Sequence, residues 1–489
     1  MSPLPSPAAP AASFRDPAGQ LFRFPGCIVR AVLPEGSPDL DAFLASAAAR
    51  KFTASGNLVR TEVLDAQRLT QVLDAGSAAS LLVAFPGATF LEHEAIPFPS
   101  FPYEWPPEML HAAAELTLEL AEALLAEGLG LKDATPYNIL FRGPQPMFVD
   151  VLSAERRDPG DPTWLAYAQF VRTFLLPLLA NQRFGLPLDK VFTTSRDGLE
   201  PEEIYRLSGM FEKLRPLFFG LVTLPTWLGR RHDPDDTRPY RRQTVSNPEK
   251  ARFILDSLLR GLRRQLARLA PGASRSPWSG YGAGPSYSET GFQAKQEFVA
   301  GALAEFRPRR VLDVGCNTGH FAELAARQGA RVVAMDADPV VVGAAWRRAR
   351  AVSLDILPLV VNLARPSPAV GWRNRECAAF LDRARNGFDA VLMLAFLHHL
   401  LVSERVPLDD IVELAAELTT DLLLIEYVDP ADPLFRRLTR GREHLHADLT
   451  REAFEAACRR RFSPVRSTRV PEAHRWLYLL RKTEPHAQA

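Results

Sequence analysis

The chain has 489 residues, of which 47% are hydrophobic and 24% charged, with a formal net charge of +1; that is enough material for two or three cores and gives no electrostatic case for nucleic acid, despite arginine runs at 436–442 and 459–461. Four scattered cysteines, Cys27, Cys316, Cys377 and Cys458, argue against a disulfide framework or a zinc site and fit a reducing, cytoplasmic setting. The longest apolar run, 217–229, is broken by Pro225 and is too short to span a bilayer.

Residues 1–20 form a Pro/Ala leader that lacks the basic and apolar parts of a signal peptide, and it is expected to be flexible. Residues 21–270 are expected to form one domain, mainly helical from position 108, with a helix over 107–127 stopped by Gly128 and Gly130. The next stretch, LKDATPYNILFRGPQPMFVDVL at 131–152, gives an acid (Asp133), an amide five positions on (Asn138), two short strands around a Gly/Pro turn, and a second acid (Asp150). This order resembles the catalytic segment of protein-kinase-like and aminoglycoside-type phosphotransferases. The resemblance implies that Asp133 orients an acceptor hydroxyl, and that Asn138 and Asp150 hold Mg²⁺ with ATP if this half is active. Three departures point to a degenerate member that binds or scaffolds an acceptor. Leu131 stands where a histidine is expected, no GxGxxG lies upstream, and Lys51 is the only lysine before Lys132.

A stretch rich in Pro, Gly and Ser marks a linker or lid over 271–290, where Trp278, Tyr281 and Tyr287, with Lys295 beyond, would fold over a ligand. From there to 482 the pattern alternates strand and helix as a parallel sheet requires, with strands expected at 310–314, 331–335, 356–361, 388–394 and 421–426. A helix at 450–460 and two short strands, 465–469 and 475–480, precede a tail at 483–489.

The densest signal is VLDVGCNTGHFAELAARQGARVVAMDAD at 311–338, a strand, a glycine turn, a helix and a second strand ending in Asp336. Asp336 lies 21 positions after Gly315, the spacing at which an acid reaches a ribose diol. The dinucleotide fingerprint is not met, because Asn317 and His320 occupy its second and third glycine positions, so NAD is disfavoured. A nucleotide turn without a ligand and a different nucleotide stay open on these residues alone.

The run is similar to motif I of class I S-adenosylmethionine (SAM) methyltransferases, where an acid, here Asp313, precedes a loop of form GxGxG. The middle glycine is replaced by Asn317, and asparagine tolerates left-handed backbone angles well. This resemblance implies a seven-stranded, mostly parallel α/β sheet with an antiparallel edge, beside an α+β kinase-like domain. It also implies a SAM site built from Asp313, Gly315, Cys316, Asn317, Gly319 and Asp336, with Asn362 near the adenine. The segment LHHL after the fourth strand would set His398 and His399 beside the transferable methyl group. A histidine at a helix start is kept neutral by the helix dipole and is available as a base. Glu426, at the end of the fifth strand, is either a second base or acceptor contact, or a carboxylate holding a nearby arginine.

Across the chain, LEHEAIPFPSFPYEWP, LKDATPYNILF, VLDVGCNTGHF, ILPLVVNLARPSPAVGW, LAFLHHL and LIEYVDPADP together resemble a family of bacterial SAM-dependent methyltransferases with nodulation-associated members. The resemblance suggests a surface-glycan or signalling-molecule context without fixing the acceptor, and the leading expectation is a methyltransferase acting on oxygen of a small-molecule or glycan-type acceptor. The competing readings are a bifunctional kinase and methyltransferase, and a non-catalytic sensor of SAM or a nucleotide. The oligomeric state has no signature in the sequence.

Overall fold

The computed structural model describes residues 16–24, 26–229, 244–272, 276, 288–446 and 448–483. Near its start, alternating apolar residues build a hairpin of β1 (Gly19–Phe24) and β2 (Cys27–Val32), which joins β3 (Thr61–Leu64) and β4 (Thr89–His93) in an antiparallel sheet ordered β1-β2-β4-β3. One face of this sheet, with Phe22, Val29 and Phe90, packs on Leu69, Ala78 and Leu81 of two short helices. The opposite face carries Val32 and Leu91 into the main core. The helix Pro107–Ala126 is apolar almost all round and accordingly buried. It leads into β5 (Leu129–Leu131), β6 (Ile139–Arg142), β7 (Gln145–Phe148) and β8 (Ala154–Arg156), where β5 pairs with β8 and β6 with β7. The first half is thus an α+β region.

In the second half, β9 (Arg310–Val314), β10 (Arg331–Asp336), β11 (Ile356–Val360), β12 (Phe388–Met393), β13 (Thr419–Val428), β14 (Phe462–Arg469) and β15 (Arg475–Lys482) form one sheet, ordered β11-β10-β9-β12-β13-β15-β14. The first five strands run parallel, and β15 runs antiparallel to both of its neighbours. Each expected strand is present. β13 and β14 start earlier than their apolar cores suggest, because Thr419 and Phe462 are themselves buried at the sheet margin. Among the described residues, no helix is long and apolar enough to cross a membrane.

The two halves share one continuous hydrophobic cluster, running from Val32 through the helix Pro107–Ala126 to Tyr478 and Leu480. The segment around 96–109 is the fastener. Phe98 packs against Phe380 and Phe388, and fully buried Glu104 pairs with Arg383, which also donates to the Pro99 carbonyl. The Arg383 guanidinium lies 5.0 Å from the ring centres of both Phe98 and Phe101. Nearby, Trp346 Nε1 donates to the Pro144 carbonyl at 3.0 Å, Arg347 pairs with Glu108, and Gly343 leaves the room that the Glu108 carboxylate occupies. The LEHEAIPFPSFPYEWP segment therefore works as a docking strap between the halves.

Removing one partner of a buried pair strands the other charge, at a typical cost of about 3–5 kcal/mol. Glu104→Gln is accordingly expected to lower stability by about that amount and to shift the unfolding of both halves together. Denaturant titration followed by fluorescence and circular dichroism measures this; loss confined to one of two separate transitions would contradict the shared core.

Candidate functional site

The strand β9 ends at Val314, and the chain then turns through Gly315 (φ +71°), Cys316, Asn317 (φ +50°), Thr318 and Gly319 (φ +81°) before the helix His320–Arg327 begins. Asn317 adopts the left-handed angle that its place in the loop demands. A side chain at Gly315 would put its Cβ 2.6 Å from the Phe396 ring, so two separate reasons require glycine there. The loop is pinned to the neighbouring strand. Gly315 and Cys316 donate to the Met335 carbonyl at 2.8 and 3.0 Å, and the Asn317 N–H donates to Asp336 Oδ2 at 3.0 Å. The other Asp336 oxygen accepts from the Asp338 N–H at 3.0 Å, while Asp338 caps the helix Pro339–Ala351. Burial raises the Asp336 pKa, opposed by these backbone N–H groups.

The Cys316 thiol is buried against an apolar cluster and donates to the Asn317 carbonyl at 3.5 Å, and burial pushes its pKa well up. Asp313 is 3% exposed, and its Oδ2 has no hydrogen-bond partner among the described residues. Burial lifts its pKa to about 7, against the pull of the Ala322 backbone and of Lys295. Asn362, half-buried past the end of β11, accepts the Ala364 N–H on Oδ1 at 2.9 Å, and its amide nitrogen is not engaged by that turn.

After β12, Ala395 takes a left-handed angle (φ +54°), and a helical turn begins that carries His398 and His399. Their ring centres lie 4.2 Å apart. His398 is 2% exposed, and its Nδ1 has no hydrogen-bond partner among the described residues. Burial holds its pKa well below the usual histidine value, helped by His399, Arg475 and Lys295. Burial lowers His399 as well.

Glu426 differs from the two histidines. Its buried carboxylate accepts from Lys295 Nζ at 2.7 Å and from Arg475 Nη1 at 3.3 Å. Arg475 in turn holds Asp432 at 2.8 and 3.2 Å. All four side chains are buried, and the Glu426 carboxylate sits in a charge network with Lys295 and Arg475. Lys295 belongs to this network within the helix Glu289–Phe306 and not to a lid. Trp278, Tyr281 and Tyr287 lie outside the described residues.

In the first half, Asp133, Asn138 and Asp150 converge. Asn138 Nδ2 donates to Ser153 Oγ at 3.0 Å, and that hydroxyl donates to Asp150 Oδ2 at 2.6 Å. Burial raises the Asp133 pKa, with Asp150 adding to it. The cation beside Asp150 is Arg30 of β2, whose Nη1 donates to Oδ1 at 2.7 Å. Lys51 instead lies exposed on the helix Ala47–Ala54, in a depression it shares with Glu119 and Glu122. Arg30 was the residue to find in the sequence, as the one charge inside the apolar strand CIVRAV. Beside it, burial holds His93 down to about 3, and its Nδ1 shares a hydrogen bond with Thr61 Oγ1 at 2.9 Å.

Comparison with known proteins then places the chain. Residues 287–478 match the family model described as "Methyltransferase domain". Over 486 residues the chain is 32% identical to the nodulation protein NoeA of Rhizobium meliloti (strain 1021), covering 98% of this chain and 97% of that protein. The chain belongs to the NoeA family. Its second half is an S-adenosylmethionine-dependent methyltransferase domain with the seven-stranded sheet described above. Among solved structures, the N-methyltransferase NodS from Bradyrhizobium japonicum WM9 aligns at 16% identity over 40% of this chain and 99% of its own, with a TM-score of 0.30. The structure of WbdD aligns at 15% over 43% of each chain, with a TM-score of 0.28. Likenesses this low bear on neither activity nor substrate.

Asp313 has a folded pKa above its unfolded value. It is protonated in both states below about pH 4, and its contribution to stability is lost as the pH rises through 7. Without ligand, Asp313→Asn is expected to gain stability relative to the parent at pH 8 compared with pH 4, read from denaturation midpoints. An equal difference at both pH values would show that the buried carboxyl is not protonated in the native state.

Proposed function

We propose that the second half binds S-adenosylmethionine across the carboxyl ends of β9, β10 and β11 and methylates an oxygen of a small-molecule or glycan-type acceptor. The observation carrying this reading is the left-handed loop of Gly315, Asn317 and Gly319 hydrogen-bonded to Asp336 at the edge where ligands of such sheets lie. The residues fit the group. Each Asp336 oxygen accepts one backbone N–H and keeps a second lone pair for a ribose diol, Asn362 has an amide for the adenine edge, and the loop offers a glycine backbone. Asp313 supplies a buried acid with one oxygen unpaired among the described residues. When bound, S-adenosylmethionine supplies a methyl carbon activated by positive sulfur.

The chain's own task is then alignment and proton removal. In this reading His398, unprotonated in its buried setting, takes the acceptor's hydroxyl proton on Nδ1, and His399 stacks against it to fix the ring. Glu426 is a positioning residue, holding Lys295 and Arg475 beneath the site. Calorimetry is expected to show S-adenosylmethionine binding that weakens at least tenfold in Asp336→Ala, about 1.4 kcal/mol; binding unaffected by that change would remove the site from the loop. Because His398 is held below its usual pKa, methyl transfer to extract acceptors is expected to keep its rate from pH 8 to pH 6.5. A loss of rate centred near 6.5 would show that the base titrates as an ordinary histidine, and a rate unchanged in His398→Ala would remove His398 from the base role.

For the first half we propose a kinase-like scaffold, spanning 21–270 and joined through 271–290, that does not transfer phosphate. Both oxygens of Asp150 are engaged, one by Arg30 and one by Ser153. The Asn138 amide is turned to the same serine, so the acid and amide expected to hold Mg²⁺ serve each other instead. Incubation with labelled ATP, Mg²⁺ and cell extract is expected to label no acceptor, and transfer abolished by Asp133→Ala would restore the bifunctional reading.

A further inference from the structure

A cavity of about 330 Å³ opens beyond the carboxyl ends of β12 and β13, between the turn carrying His399 and the segment after β13. Its walls are Leu401, Val402, Val406 and Leu445, and its charged groups are Arg405 and Arg442, with His446 beside them. No acid lines it. Underneath, Val402, Val428 and Phe435 form a small apolar cluster of their own, and Phe435 meets His446 edge to face at 5.8 Å.

The arginines here differ from those around them. Arg365 is paired with Glu404 at 2.9 Å, Arg451 with Glu455 at 3.0 Å, Arg460 with Asp409 at 2.6 Å and Arg461 with Glu413 at 2.5 Å. Arg405 and Arg442 have no ion-pair partner among the described residues, and the same holds for Arg436, Arg437 and Arg440 of the adjoining segment. The acids next to them in sequence have other partners, Glu404 being paired with Arg365 and Glu443 accepting from the Gly441 N–H. Arg405 is moreover held in a left-handed backbone conformation (φ +58°). Burial and the neighbouring Arg442 lower the His446 pKa, so this imidazole adds no competing charge.

Two unpaired guanidinium groups at the mouth of an apolar cleft make a receptor for an anion attached to a nonpolar body. Guanidinium forks bind phosphate and carboxylate through paired, charge-assisted hydrogen bonds. The cleft wall begins at Leu401, two residues past His399 in the chain and on the segment that follows β12. Resting on the methyltransferase reading above, we propose that this cleft is the acceptor site and that the acceptor carries an anionic group, a phosphate or a carboxylate, next to an apolar portion.

The test uses the full chain with hexyl phosphate, hexanoate and hexanol as probes, and S-adenosylmethionine binding is measured in parallel by calorimetry. Hexyl phosphate or hexanoate is expected to bind at least tenfold more tightly than hexanol. That preference should weaken with added salt and disappear in Arg405→Ala with Arg442→Ala, while Arg405→Lys with Arg442→Lys keeps part of it. The tighter of the two anions tells a phosphorylated acceptor from a carboxylated one. Equal binding of hexanol, no binding of either anion, or anion binding unchanged in the double alanine variant would overturn the proposal. Loss of S-adenosylmethionine binding in the parent chain would instead defeat the methyltransferase reading, so the two failures are distinguishable.

Discussion

The buried guanidinium of Arg383 is the contact on which the arrangement of the molecule turns. It sits between Glu104, the Pro99 carbonyl and the faces of Phe98 and Phe101, all contributed by one segment of the first half, while its own backbone belongs to the short helix before β12. Isolated in a protein interior, such a charge is costly; surrounded by an acid, a carbonyl and aromatic faces, it fixes one geometry. The strand that delivers the two histidines begins five residues after Arg383. The fastening of the halves and the placement of the strand ends are therefore one problem.

A second buried network does the same work on the other side of the sheet. Lys295, Glu426, Arg475 and Asp432 link the helix before β9, the end of β13, the loop after it and the start of β15. Charges neutralised in sequence like this remove desolvated groups from competition with a ligand while locking four elements together. They also leave their mark on the histidines, since Arg475 and Lys295 both help to keep the His398 imidazole uncharged.

What was legible in the sequence was what repeats locally. β9 to β13 are apolar runs with punctuating glycines, and the loop and Asp336 follow from spacing within one βαβ unit. Asn317 could be recognised as a left-handed residue because asparagine is chemically suited to it. What was not legible depended on partners far apart in the chain; even Arg30, conspicuous as the one charge in CIVRAV, carries no sign of its partner. Glu104 and Arg383 are 279 positions apart, Lys295 and Glu426 are 131 apart, and Arg30 and Asp150 are 120 apart. Lys51 attracted attention because lysine is scarce in the first half, yet scarcity says nothing of location. Glu426 likewise read as chemistry or support until its neighbours were known.

Gly343 carries a consequence of a different kind. The helix Pro339–Ala351 belongs to the methyltransferase sheet, yet it lacks a side chain at the point where Glu108 of the other half rests, and its Trp346 reaches across to Pro144. A helix shaped by its neighbour in this way fits one partner surface. Recombination that moved residues 287–478 into another gene would expose an indole, a notch and the apolar floor beneath them. The methyltransferase half of this chain is therefore poorly suited to stand alone as a module.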